Sequence, residues 1–276
     1  MKRPGLLPFF LLTFGYTWGL GALLVLFPKQ IGPLIGPISL DNPVVMTAVY
    51  SPSAVAVLVS LYYGRASLAD LFARLLRFRI GLFWYVAPVV GIWAICFAAG
   101  YLSTAIYGTK PPVFPAIAQW PSLLWLGLTA FLVDPGPLGE ELGWRGFALP
   151  RLLERFNGLT AALVLGVVWG IWHLPAFFLS GMPQSQISFP AFMVSIVAAS
   201  VIITYVVNRA GGSVLPAILI HWSDNRFADS TVPTAYATAL MYVLGALFCV
   251  LVGGRELGRE ISSPAPRSDM EEAQSA

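Results

Sequence analysis

The chain has 276 residues, of which 57% are hydrophobic and only 11% charged, with a formal net charge of +3. A soluble domain is nearer 45–50% apolar and about 25% charged, so a soluble globular fold is excluded. The apolar residues come in runs of about 20, the length that spans a bilayer as helix. They do not alternate with polar residues along short segments, which excludes a transmembrane β-barrel.

The expected class is all-α: a polytopic membrane helical bundle of about eight transmembrane helices plus an amphipathic interfacial helix. The first span is expected at Leu6 to Leu26, behind Lys2 and Arg3. It is read as a retained helix rather than a signal peptide, because the run is long and no A-x-A site follows. Gly15 and Gly19 form a GxxxG pair that predicts close helix packing. A second span is expected at Pro43 to Tyr63. Gly64 to Ile80 sets Arg65, Arg74, Arg77 and Arg79 among Leu68, Leu71, Phe72, Leu75 and Leu76, the pattern of a helix lying in the interface.

A third span is expected at Leu82 to Ala105, and a proline-rich loop follows. A fourth apolar run, Leu123 to Val133, is interrupted by Asp134-Pro135-Gly136-Pro137, where a break is expected. The chain resumes as an amphipathic helix, Leu138 to Phe156, and Asn157-Gly158 makes a turn. The remaining spans are expected at Leu159 to Leu179, Pro190 to Val207, Val214 to Phe227 and Val232 to Val252. Residues 1–255 then form one integral membrane domain, with a motif-bearing core at about 121–230. Residues 256–276, rich in Ser, Pro and Glu, read as a disordered cytoplasmic tail. Cys96 and Cys249 lie inside spans without metal-site spacing and read as packing residues.

Eight spans place both termini on one side. Of the 16 Lys and Arg residues, all but Lys29, Lys110 and Arg226 fall on that same side, which makes it cytoplasmic. The expected location is a bacterial cytoplasmic membrane. Because the basic residues sit at span ends, the positive balance is a topology signal. The lipid bilayer is a partner, and nucleic acid is not.

Against this background Gly139-Glu140-Glu141-Leu142-Gly143-Trp144-Arg145 stands out. An ionisable group in a membrane span costs about 2.5–3.5 kcal/mol on translocon scales, and is usually paired and functional. Glu141 and Arg145 are one helical turn apart and form a natural ion pair. Glu140 is rotated about 100° from Glu141, so its carboxylate is left for another partner. The two histidines of the chain fit the same logic. His173 follows Trp169 by four residues, and His221 precedes Asn225 by four, so each pair shares a helix face.

Glu140 and His173 are equidistant from a turn at Phe156-Asn157, which predicts that they lie at one depth in an antiparallel pair. Gly139-x-x-x-Gly143 and Gly166-x-x-x-Gly170 are expected to let the two backbones approach. Asp134 and Asp224 read as break or end residues. The cluster suits a peptide hydrolase, but also a transporter or channel relaying protons or ions, or a non-enzymatic scaffold.

In order along the chain, Glu140-Glu141-x-x-x-Arg145, Trp169-x-x-x-His173 and His221-x-x-x-Asn225 resemble the three motifs of the CAAX prenyl endopeptidase/Abi (CPBP) intramembrane proteases. Trp169 stands where that family often has Phe. The resemblance implies an intramembrane endopeptidase acting on a membrane-associated peptide or protein substrate, with some relatives serving as bacteriocin-immunity or scaffold proteins. It implies that Glu140 and His173 activate water, that His221 and Asn225 stabilise the oxyanion, and that Glu141, Arg145 and Trp169 support the site. Neutral His221 and the Asn225 amide are taken as the donors. The family is often called a metalloprotease. Glu140, His173 and His221 could form a His₂Glu zinc set, whereas the absence of an HExxH helix favours a metal-free glutamate mechanism.

Overall fold

The computed structural model describes residues 5–113, 122, 125, 134–231 and 234–257. All of the expected fourth span at Leu123 to Val133 but Trp125, and all but the first two residues of the expected tail, lie outside these. The described residues form helices α1 (Leu6–Leu26), α2 (Pro28–Ile35), α3 (Pro43–Val49), α4 (Ser51–Tyr62), α5 (Arg65–Leu75) and α6 (Phe83–Tyr107). They continue as α7 (Pro135–Glu141), a π-helical stretch (Leu142–Ala148), α8 (Leu149–Leu153) and α9 (Gly158–Trp172). Two 3₁₀ turns, Leu174–Phe178 and Pro183–Gln186, lead into α10 (Phe189–Arg209), α11 (Leu215–Thr231) and α12 (Ala235–Leu257). No strand is present among the described residues. The class is all-helical.

Five helical segments are long and apolar enough to cross a membrane, or six if α3 and α4 count as one span bent by 57°. The chain is a multi-pass membrane protein. Its outward surface agrees, since large apolar side chains such as Leu7, Leu11, Leu247, Phe248 and Leu251 stand exposed along the span helices, an apolar surface suited to hydrocarbon. The expected count of eight is not reached among the described residues. One segment lies outside them, and α11 has only 17 residues and carries Asp224, Arg226 and Asp229.

Local chemistry explains where the elements depart from the expected boundaries. The second span bends at Tyr50 because Pro52, in the first turn of α4, offers no N–H to the Ala48 carbonyl and crowds it. Asp134-Pro135-Gly136-Pro137 starts a helix rather than only ending one. The Asp134 side chain accepts from the Gly136 N–H at 3.1 Å, and Pro135 occupies the first helical position, where its missing N–H costs nothing. After Glu141 the helix widens, and the Leu149 N–H reaches the Trp144 carbonyl five residues back. This widening was not foreseen. Such π segments are rare and are frequent at functional sites.

The turn at Asn157 forms as expected, with its side chain capping α9 through the Thr160 N–H at 2.8 Å. Helix α9 ends at Trp172 rather than Leu179 because Pro175 cannot continue it. Helix α12 runs on to Leu257, past the expected end of the domain.

The glycine faces bring backbones together, but not the expected ones. Among the described residues Gly15 and Gly19 have nothing within 4 Å of where a methyl would stand, so that GxxxG pair packs none of the described helices. A methyl on Gly139 would stand 2.8 Å from the Val49 carbonyl oxygen, and one on Gly143 2.4 Å from the Pro52 carbonyl carbon. Both glycines seat α7 and the π segment against the α3–α4 bend. Gly166 and Gly170 instead face Val197, Ser200, Met193 and Ile196 of α10. Helix α9 therefore packs on α10, and α11 is held chiefly between α6 and α7. The main core gathers Phe9, Trp144, Phe147, Leu165 and Ile203, all buried. Cys96 and Cys249 are buried free thiols.

Candidate active site

Glu140 and Glu141 end α7, and both are buried, Glu141 completely. Their side chains leave the helix on different bearings. Glu141 Oε1 accepts from Arg145 at 2.9 Å and lies 2.9 Å from His221 Nδ1. One carboxylate oxygen thus ties the π segment to α11. Arg145 is fully buried, and its guanidinium carbon sits 4.1 Å from the centre of the Trp169 ring, a cation–π contact in a dry setting.

Glu140 meets α9 instead. Its Oε2 accepts from Trp169 Nε1 at 2.6 Å and stands 3.9 Å from His173 Nε2. The end of α9 fixes the His173 ring. The helix tightens there, so that the His173 N–H bonds the Gly170 carbonyl at 3.2 Å, and the Trp169 carbonyl lies 2.9 Å from His173 Nδ1. A carbonyl only accepts, so Nδ1 carries the proton and Nε2 presents a lone pair toward Glu140. Trp172, Phe192 and Trp169 hold the ring, with centroids 4.7, 5.2 and 5.9 Å away.

The same bonding logic applies to His221. A carboxylate that pairs with a guanidinium accepts, so Nδ1 donates to Glu141. The Trp169 ring abuts the His221 ring at 5.5 Å. Trp169 therefore touches Glu140, Arg145, His173 and His221. The sequence marks it as an aromatic wall beside His173, but its indole N–H on Glu140 and its ring beneath Arg145 depend on inter-helix contacts that no spacing rule shows. The link from Glu141 to His221 across 80 residues was likewise not legible.

Asn225 lies one turn beyond His221 on α11 and donates to Asp134 Oδ2 at 3.4 Å. A methyl on Gly136 would stand 3.2 Å from both His221 Nε2 and Asn225 Nδ2. The missing side chain of Gly136 leaves a hollow flanked by the two nitrogens. Glu140, Trp169, His173, His221 and Asn225 all open on one cavity of about 750 Å³. Leu20, Leu24, Val45, Met182 and Ile196 supply much of its apolar wall.

The expected zinc set of Glu140, His173 and His221 is not drawn together as a ligand group among the described residues. A zinc ion needs its nitrogen and oxygen ligands at about 2.0–2.2 Å from one point. Here His221 Nδ1 bonds Glu141 and Glu140 Oε2 bonds the Trp169 indole, which leaves His221 Nε2, His173 Nε2 and Glu140 Oε1 as the atoms that would face an ion. Among the described residues no three His, Cys, Asp or Glu side chains are grouped to hold a metal ion.

This geometry can be set beside known proteins. The family model for the type II CAAX prenyl endopeptidase, Rce1-like, matches residues 118–227, which hold every residue of the cluster. Over this segment, somewhat less than half of its length, the chain is similar to the Rce1-like family. The chain is also similar to "CAAX prenyl protease 2" of Methanococcus maripaludis, at 33% identity over 92 residues. That segment is 31% of this chain and 34% of the relative, so the chain spans about a third of the curated relative it matches. The family is one of intramembrane CAAX endopeptidases, which are peptide hydrolases acting on peptide or protein substrates.

Proposed function

We propose that the chain is an intramembrane endopeptidase that hydrolyses a peptide bond of a membrane-associated peptide or protein. Glu140 serves as general base and His173 Nε2 as the second acceptor on the attacking water. The single observation that carries this reading is the pairing of the Glu140 carboxylate with the lone-pair face of His173 at 3.9 Å. That gap is too long for a direct bond but suits a water bridging both. The water oxygen bonds to the scissile carbonyl carbon as its proton passes to Glu140. The C–N bond then breaks as that proton is delivered to the leaving amine, giving a carboxylic acid and an amine, and the acid's proton passes to the amine or to solvent.

His221 and Asn225 face the oxyanion. The Asn225 amide donates in its ordinary form. With Nδ1 on the Glu141 carboxylate, His221 Nε2 carries a proton only as imidazolium. On this reading His221 acts as a cation held by Glu141 rather than as the neutral donor expected, a state better matched to an oxyanion. Glu141 supports that charge state, Arg145 holds the Glu141 carboxylate in place, and Trp169 fixes the Glu140 carboxylate. No step passes through a metal.

The eight-segment topology belongs to the same proposal. Five helical spans, the bent α3–α4 pair and α11 account for seven of the eight expected segments, the other being expected largely outside the described residues, and both termini are cytoplasmic by the bias of basic residues. Residues 1–255 then form the integral domain, with the motif-bearing core at about 121–230. Terminal proteomics of membranes from cells carrying wild type or Glu140→Gln tests the activity. New membrane-protein termini should appear only with wild type, and identical terminal profiles would sink the proposal.

A further inference from the structure

Asp134 and Gly136 fall outside the three motifs, yet both touch the oxyanion side of the site. Asp134 spends its two oxygens on different partners. Oδ1 accepts from the Gly136 N–H at 3.1 Å and caps α7, and Oδ2 accepts from Asn225 Nδ2 at 3.4 Å. A carboxylate can face the NH₂ end of an amide but repels its carbonyl end. Asp134 thereby selects the Asn225 orientation that presents NH₂ beside His221 Nε2. Gly136 contributes by lacking a side chain, because a methyl there would press on both nitrogens from 3.2 Å.

We propose that the Asp134–Gly136 turn is a positioning element for the oxyanion donors, with Asp134 setting the Asn225 amide and Gly136 keeping the hollow open. The inference rests on the hydrolase reading given above. The Asp134 charge would by itself oppose an oxyanion, so its service is orientation. An uncharged acceptor at the same place should therefore suffice.

The test uses the full chain in lipid nanodiscs with a membrane-anchored peptide bearing a cleavage site identified by terminal proteomics. Asp134→Ala and Gly136→Ala should each lower kcat about tenfold or more, with KM within about threefold, a fraction of what losing an oxyanion donor outright costs. Asp134→Asn, which keeps the acceptor, should stay within about threefold of wild type. If Asp134 acts through Asn225, adding Asp134→Ala to Asn225→Ala should cost less than about twofold more. A further tenfold loss in that double variant, or an unchanged kcat in both single variants, overturns the inference.

Glu140→Gln is run alongside. If it cleaves as fast as wild type, the hydrolase reading fails instead. Experimental structures of wild type and Gly136→Ala then decide the positioning claim. An Asn225 amide on Asp134 in wild type and displaced in the variant supports it, and an unmoved amide overturns it.

Discussion

Gly143→Ala tests the packing that seats the acidic helix. A methyl there would stand 2.4 Å from the Pro52 carbonyl carbon and 2.5 Å from its oxygen, where carbon atoms normally keep about 3.5 Å. The π segment and α4 must then part by about 1 Å. The opposing atoms are backbone, so no rotamer change relieves the clash. Overpacking costs about 1–3 kcal/mol, and the rigid contact puts this case near the upper end. At roughly 2–4 °C per kcal/mol for a chain of this size, the melting temperature should fall by about 6–12 °C. A thiol-reactive dye can follow melting in detergent, because Cys96 and Cys249 are 1% and 8% exposed and label only on opening. Gly15→Ala and Gly19→Ala are the controls. Among the described residues nothing lies within 4 Å of either site, and alanine is favoured over glycine inside a helix by about 0.5–1 kcal/mol, so both should melt with wild type or slightly above it. A Gly143→Ala melt equal to wild type, or a Gly15→Ala melt as low as that of Gly143→Ala, refutes the reasoning.

Arg145→Ala leaves the fully buried Glu141 without its cationic partner within the π segment. It should cost about 3–5 kcal/mol, read in the same dye melt, and Arg145→Lys should recover only part because a point charge replaces the guanidinium. Asn225→Ala removes an exposed side chain and should leave the melt unchanged while lowering kcat about 10²–10³-fold, measured on the peptide reporter. Chelation of the purified protein should leave cleavage unchanged. Loss of activity restored by zinc would return the His₂Glu set that the Glu140, His173 and His221 geometry disfavours.

Much of the site was legible because it obeys short-range rules. The i,i+4 spacing of Glu141 with Arg145, of Trp169 with His173, and of His221 with Asn225 follows from helical geometry alone. So does the divergence of Glu140 from Glu141. The equal spacing of Glu140 and His173 from the Asn157 turn also matches their contact in the structure. What escaped the sequence is set between helices. Small glycines announce that some backbone comes close, but they carry no record of which one. Gly139 and Gly143 therefore met the α3–α4 bend instead of α9, and Gly15 and Gly19 met nothing. Asp134 looked like a mere helix breaker because its second partner, Asn225, lies 91 residues away. The π widening after Glu141 leaves no composition signal of its own.

The most direct test of the account is cleavage of the membrane-anchored reporter by purified wild type and Glu140→Gln, scored by mass spectrometry of the new termini. Glutamine keeps an acceptor for the Trp169 indole and so preserves the fold, but it cannot take a proton from water. The account predicts a single cut by wild type, with the Glu140→Gln rate lower by about 10²–10⁴-fold and an unchanged melt. Equal cleavage by both proteins would contradict the assignment of Glu140 as the base.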